Sequence, residues 1–214
     1  MQLFDHGIAD PDWWYNKRLN EQHGGNRTKF GDGVWFKYAA PPSDLKTICS
    51  MPIGSAMAPD SFLHLWTTGP HMFDAKAVLE AWGFRFITVE FIWVKIAKKA
   101  IRYCLTHLEE TLGLLEQEET LYDVLIKGAR KLPGNFTASN GEFVLLGKRG
   151  TPKRSEVVKM YPQLIFTPLM EHSRKPDRVH KYIDAAWPGS RCIEFYARRQ
   201  WPGWVCLGNE MQGQ

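Results

Sequence analysis

Between Phe62 and Lys95 the chain changes its hydrophobic period twice. Phe62-Leu63-His64-Leu65-Trp66-Thr67-Thr68 reads as a buried strand. Phe73 to Trp82 carries apolar residues at helical spacing, with Gly83 as its stop, and Phe84 to Lys95 is again rich in β-branched and aromatic residues. A strand, a helix and a strand in direct succession predict a parallel α/β sheet with helices packed on its faces. At 214 residues the chain fits one domain of that kind. Its 44% hydrophobic and 23% charged content is that of an ordinary folded protein and excludes disordered or collagen-like classes.

The remaining elements extend the pattern. Phe4 to Ala9 is a strand candidate and residues 16 to 34 read as a mobile loop. Ser43 to Cys49 carries a helical start signal, Glu142 to Lys148 reads as a strand, Arg149 to Lys153 as a turn and Leu164 to Pro168 as irregular. Pro176 to Ala186 is predicted helical, and Arg191 to Tyr196 and Trp204 to Leu207 are the closing strands. Ile101, Leu105, Leu108, Leu112 and Leu115 alternate steps of four and three, so residues 99–131 are expected to form a helical insertion in a single domain spanning 1–214. Its Leu stripe could pack on a second copy, on another subunit, or on the protein's own core.

Charge and cysteine usage narrow the chemistry. Residues 146–201 carry twelve Lys and Arg against five Asp and Glu, which suits a polyanionic partner as well as a solvated surface. The four cysteines and seven histidines show no Cys-x-x-Cys or His-x-x-x-His spacing, so neither a metal site nor a disulfide framework is expected. No stretch reaches about 18 uninterrupted apolar residues and Met1 to Tyr15 does not read as a leader, so a cytoplasmic or nucleoplasmic location is expected.

The candidate catalytic feature is Asp10-Pro11-Asp12-Trp13 at the end of the first strand, because open α/β sheets hold ligands at the carboxyl ends of their strands. The tetrapeptide resembles the Asp-Pro-Pro-aromatic motif of amino-group methyltransferases, and that resemblance implies as target an exocyclic amine such as that of adenine, a weak nucleophile whose lone pair is delocalised into the ring. A carboxylate and a backbone carbonyl can accept its two N–H groups while an aromatic face holds the base.

Several segments in one order resemble the MT-A70 family of N6-adenine methyltransferases. Ile8-Ala9-Asp10-Pro11-Asp12-Trp13 is similar to its Ala-Asp-Pro-Pro-Trp loop, Phe62 to Thr68 to its Phe-Leu-Trp strand, and Ala81-Trp82-Gly83-Phe84 with Ile92-Trp93-Val94-Lys95 to its Trp-Gly-Phe and Trp-Val-Lys signatures. Glu142 to Gly150, Ser173-Arg174-Lys175-Pro176, Ile193-Glu194-Phe195-Tyr196-Ala197-Arg198 and Gly208-Asn209-Glu210 complete the likeness. The resemblance implies a Rossmann-like methyltransferase sheet in circularly permuted order, catalytic strand first and cofactor strand last. It implies S-adenosylmethionine as cofactor, with Lys175 on the methionine carboxylate and Ile8, Glu194, Arg198, Asn209 and Glu210 around the remainder. Asp10, Pro11, Asp12 and Trp13 would be catalytic, and Trp14, Tyr15, Lys95, Asn135 and Glu142 would face the substrate. DNA is expected as acceptor ahead of RNA, since the chain is compact.

Departures from the family pattern bear on rate and substrate. Asp12 stands where the family has a second Pro, and its carboxylate beside the methyl-transfer point is expected to slow transfer. Ala138, Gln200 and Trp201 occupy places where the family often has Arg, His or Asn. A catalytically degenerate nucleic-acid-binding or scaffold subunit is the competing reading.

Overall fold

The computed structural model describes residues 3–13, 27–30, 34–37, 43–96, 102, 140–168 and 174–208. Nine strands are described: β1 (Phe4–Ala9), β2 (Arg27–Phe30), β3 (Val34–Lys37), β4 (Met57–Thr67), β5 (Arg85–Ile96), β6 (Gly141–Arg149), β7 (Leu164–Pro168), β8 (Cys192–Phe195) and β9 (Val205–Leu207). The α-helices are α1 (Leu45–Ser50), α2 (Ile53–Ala56), α3 (Met72–Ala81) and α4 (Arg178–Ala186).

Seven strands form one sheet in the order β7-β5-β6-β4-β1-β8-β9, and β2 pairs with β3 separately. Every neighbouring pair in the large sheet is parallel except the two made by β6, which runs against both β4 and β5. β4 and β5 therefore point the same way, as the strand-helix-strand pattern predicts, but they are not adjacent. β6 lies between them.

Pleating divides the sheet's side chains between two cores. Ala9, Leu63, Leu65, Leu145 and Ile193 pack under α1, α2 and α3 through Ile48, Ile53, Ala75, Val78 and Leu79. Ile8, Trp66, Val144 and Trp93 pack on the opposite face against Val179, Tyr182 and Ile183 of α4. The fold is thus a mixed α/β sheet covered on both faces.

Local chemistry explains the boundaries. Asp44 caps α1, its carboxylate accepting from the Thr47 N–H at 2.7 Å, one residue after the expected start. The chain leaves α3 through Gly83, whose φ of +85° suits glycine. Arg149 closes this corner: its guanidinium donates to the carbonyls of Gly54 (2.7 Å), Trp82 (2.6 Å) and Gly83 (3.3 Å) and lies over the Phe84 ring.

Two expectations need correction. Leu164–Pro168 is a strand, pairing in parallel with Ile92 to Ile96; the prolines at 162 and 168 suggest irregularity, but an edge strand tolerates Pro at its end. The stretch read as a mobile loop, residues 16–34, contains a strand, Arg27–Phe30, which pairs antiparallel with Val34–Lys37 at the end of that stretch; the Val-Trp-Phe run is the strand-forming signal there. The helical insertion lies outside the described residues, apart from Arg102, and so do Trp14, Tyr15, Asn135, Ala138, Asn209 and Glu210.

Candidate active site

The direction of β6 determines what meets at one edge of the sheet. β1, β4, β5 and β8 end there, and β6, running the other way, begins there. Asp10 directly follows β1, Lys95 is the penultimate residue of β5, and Glu142 is the second residue of β6. Lys175 enters from the segment before α4. Four residues far apart in sequence form one line of alternating charge. Lys95 binds Oε1 of Glu142, Lys175 Nζ lies 3.2 Å from Oε2 of Glu142, and the same Nζ lies 2.8 Å from Oδ2 of Asp10. The ammonium groups also sit over tryptophan rings, Lys175 over Trp66 at 5.6 Å and Lys95 over Trp93 at 5.1 Å.

Burial sets the proton affinities. For Asp10, loss of solvent raises the pKa above the ordinary aspartate value; Lys175 opposes this, and the nearby Glu142 charge adds to it. Burial would raise Glu142 too, but Lys175 and Lys95 together hold it below the usual range. Burial would lower Lys175, yet the two carboxylates raise it above that of a free lysine. Glu142 has two cationic partners whereas Asp10 must share one. Asp10 is therefore the carboxylate of the pair with the greater appetite for a proton.

Around Asp10 the loop is closely held. The Trp13 N–H donates to the Pro11 carbonyl at 2.9 Å, leaving that oxygen one lone pair, and the Ser43 N–H donates to the Asp12 carbonyl at 3.1 Å. Trp13 is 7% exposed; its indole N–H donates to the Trp66 carbonyl at 3.1 Å, and its ring stacks on His71 with centroids 5.4 Å apart. Trp13 and His71 line a hollow of about 190 Å³ with Asp44 and Asp74. Asp12, the residue that departs from the motif, pairs with Arg198 at 3.3 Å.

Past β8 the chain turns through Tyr196, whose φ of 61° is left-handed and costs roughly 1–2 kcal/mol in a non-glycine residue. The turn carries Ala197 to the Leu207 carbonyl at 2.9 Å and Arg198 back to Asp12. Gly208 lies so close that a Cβ there would stand 2.0 Å from the Ala197 oxygen. Glu194 does not project past the strand end. It faces α4 and pairs with His180 Nε2 at 3.0 Å, while His180 packs on Trp201 and Trp204. The Ile8 side chain is core, 1% exposed beneath α4.

The structure thus brings together Asp10, Asp12, Lys95, Glu142, Lys175 and Arg198, places Trp13 in the wall beside them, and sets Ile8 and Glu194 into the sheet. Sequence reasoning missed Trp66, His71 and Arg174. Trp66 belongs to a strand read as buried and matched to a family signature without a site role, and nothing in the spacing links it to Lys175. Arg174 was passed over beside its motif neighbour Lys175, yet its Nε is buried without a hydrogen-bond partner.

A carboxylate at the end of β1, beside the point where strand order runs outward in both directions, marks a ligand-binding α/β enzyme, and the sheet is methyltransferase-like. Comparison with known proteins gives the family. The model of the MT-A70 family matches residues 4–132 and 123–210, so the chain belongs to the MT-A70 family. It is 30% identical over 214 residues to the type II methyltransferase M.MunI of a Mycoplasma species, covering 95% of this chain and 76% of that protein. It is 26% identical to the N(6)-adenine-specific methyltransferase METTL4 of Mus musculus, over 98% of this chain and 38% of the relative. It is 28% identical to the N(6)-adenosine-methyltransferase catalytic subunit METTL3 of Homo sapiens, over 72% of this chain and 22% of the relative.

Proposed function

We propose that this protein transfers the methyl group of S-adenosylmethionine to the N6 amino group of adenine in nucleic acid, with DNA as acceptor ahead of RNA. The observation that carries the reading is Asp10, a buried carboxylate of raised proton affinity held by Lys175 where β1 ends. DNA is preferred because a match that spans most of both chains is to a type II methyltransferase, whereas the chain covers 22% of the human adenosine methyltransferase.

The residues present fit the cofactor. Arg174 offers a buried Nε with no hydrogen-bond partner, and Lys175 uses two of its three N–H donors on Asp10 and Glu142, leaving one. Together they suit the methionine carboxylate, while Arg198, at the turn after β8, borders the crevice between β1 and β8. When bound, S-adenosylmethionine supplies an electrophilic methyl group on a positively charged sulfur. Asp10 accepts one N–H of the adenine amine and the free lone pair of the Pro11 carbonyl accepts the other, which turns the nitrogen lone pair toward the methyl group. The nitrogen gains a bond to carbon as the sulfur loses one, and it then sheds a proton; the raised pKa of Asp10 suits it to receive that proton. Lys175 keeps Asp10 oriented throughout. The degenerate-subunit reading rests on Asp12, and the pairing of Asp12 with Arg198 gives that carboxylate a partner other than the cofactor.

The test is to express wild type and Asp10→Ala, hydrolyse host DNA and RNA to nucleosides, and measure N6-methyladenine by mass spectrometry. The expected result is methylation of DNA by wild type alone. Methylation confined to RNA moves the acceptor, and its absence from both with wild type overturns the reading.

A further inference from the structure

The face of the sheet that carries α4 gathers positive charge well away from Asp10. Arg85 and Lys148 are direct cross-strand partners at the start of β5 and the end of β6, so they share a face and set like charges about 5 Å apart at Cβ. Lys148 stands on the α4 side, near Arg154, Tyr161 and Trp187. The Trp187 indole N–H donates to the Lys153 carbonyl at 2.9 Å, which ties the segment carrying Lys153 and Arg154 to the end of α4. At the other end of α4 the Arg178 guanidinium lies over the Tyr161 ring at 5.4 Å, and Lys181 follows three residues later on the same outward side. Arg85, Lys153, Arg154, Arg178 and Lys181 are exposed and Lys148 is half-buried; none of the six forms an ion pair among the described residues.

The acids of this face are engaged elsewhere. Glu156 pairs with Lys159 at 3.2 Å, Asp177 with Arg199, and Asp184 accepts from the indole N–H groups of Trp201 and Trp204 at 3.0 and 2.8 Å, while Glu90 lies beneath the surface against His64. A small anion would need these cations to converge on one point, and they do not. They are strung along the nine residues from Arg178 to Trp187, about 14 Å of helix, which is about four base steps of B-form DNA. The row also begins at the functional edge, since Lys175, which holds Asp10, precedes Arg178 by three residues.

We propose that the α4 face is a binding surface for the phosphate backbone of duplex DNA flanking the target adenine, with Arg178 and Lys181 nearest the Asp10 edge and Lys153, Arg154, Lys148 and Arg85 continuing away from it. The choice of partner rests on the proposed acceptor; the charge pattern does not. Such contacts hold the duplex in register and add affinity without reading its sequence.

Fluorescence anisotropy of a short labelled duplex between about 50 and 200 mM salt tests it, because each phosphate neutralised adds about 0.9 to the fall of log K with log salt. Arg154→Gln with Lys181→Gln should reduce that slope by about 2 and weaken binding about tenfold, with the melting temperature and the calorimetric affinity for S-adenosylmethionine unchanged. Lys46→Gln with Lys76→Gln, the same charge change on α1 and α3, should leave slope and affinity as in wild type, and so should Asp10→Ala. No binding of the duplex, an unchanged slope in the α4-face variant, or an equal loss in the Lys46 and Lys76 variant overturns the proposal. So does loss of binding to phosphatidylcholine vesicles containing phosphatidylserine while duplex binding is kept, which would assign the face to a membrane. The reduced slope in a protein whose wild type forms no N6-methyladenine supports the surface and counts against the methyl-transfer reading alone; methylation with an unchanged slope overturns only the surface.

Discussion

Replacing Lys175 by Met removes the one cation shared by Asp10 and Glu142 while keeping a side chain of similar length. Breaking a buried ion pair by deleting one partner costs about 3–5 kcal/mol, because the other charge is left without compensation. The side chains here retain 14–17% exposure, and Lys95 still serves Glu142, so about 2–4 kcal/mol is expected. The sign with pH follows from the carboxylates. Glu142, held below its ordinary value, contributes stability that is present above the normal carboxylate range and is lost as pH falls through its folded value. Without Lys175 the pKa values of both Asp10 and Glu142 rise, so the penalty should be full at pH 8 and fade as the carboxylates protonate toward pH 4. Adding Asp10→Asn should recover about 1–2 kcal/mol of the loss at pH 8, since Glu142 keeps Lys95 and no carboxylate is then left without a cation, without restoring methylation. Urea unfolding of the three proteins at both pH values measures this. An equal loss at pH 4 and pH 8, or no rescue by Asp10→Asn, would refute the charge ladder as the source of the effect.

Three further outcomes are expected. Arg149→Ala should lower stability by about 2–4 kcal/mol, since three carbonyls lose a charged donor, while methylation per folded molecule stays unchanged; denaturant curves and active-site titration check both. The acid limb of methylation should lie above the ordinary aspartate range and shift to lower pH in Glu142→Gln, because Glu142 raises Asp10; a pH profile of kcat/KM in which the limb rises or stays fixed contradicts that. Asp12→Pro removes the carboxylate beside the transfer point and should raise the single-turnover rate, and a slower enzyme would mean that the tie to Arg198 matters more than the charge.

Much of this architecture is legible in the local sequence pattern. β1, α3 with its Gly83 stop, β5 and α4 each have a period and a terminator that short-range chemistry supplies. The direction of β6 has no such signal: a nine-residue strand built on Phe143-Val144-Leu145-Leu146 reads the same whether it runs with its neighbours or against them. The site was hidden for the same reason. Asp10, Lys175 and Glu142 could each be named from a short motif, but under three separate roles, because only the reversed strand brings Glu142 to the edge where β1 ends. Glu194 shows the opposite difficulty, as its motif points to the cofactor while strand pleating turns its side chain beneath α4 onto His180.

The reversal of β6 also affects how such a chain can change over time or be re-engineered. β5 ends and β6 starts side by side at the functional edge, and the Lys95–Glu142 pair bolts the two together a residue from each terminus. Whatever joins Ile96 to Gly141 must leave and return through that bolted neck. Lengthening a flexible connection costs only about 0.6 kcal/mol per doubling. The join is therefore a socket: segments of different length and composition can be exchanged there within reach of the reacting groups, without altering the register of any strand that holds Asp10 in place.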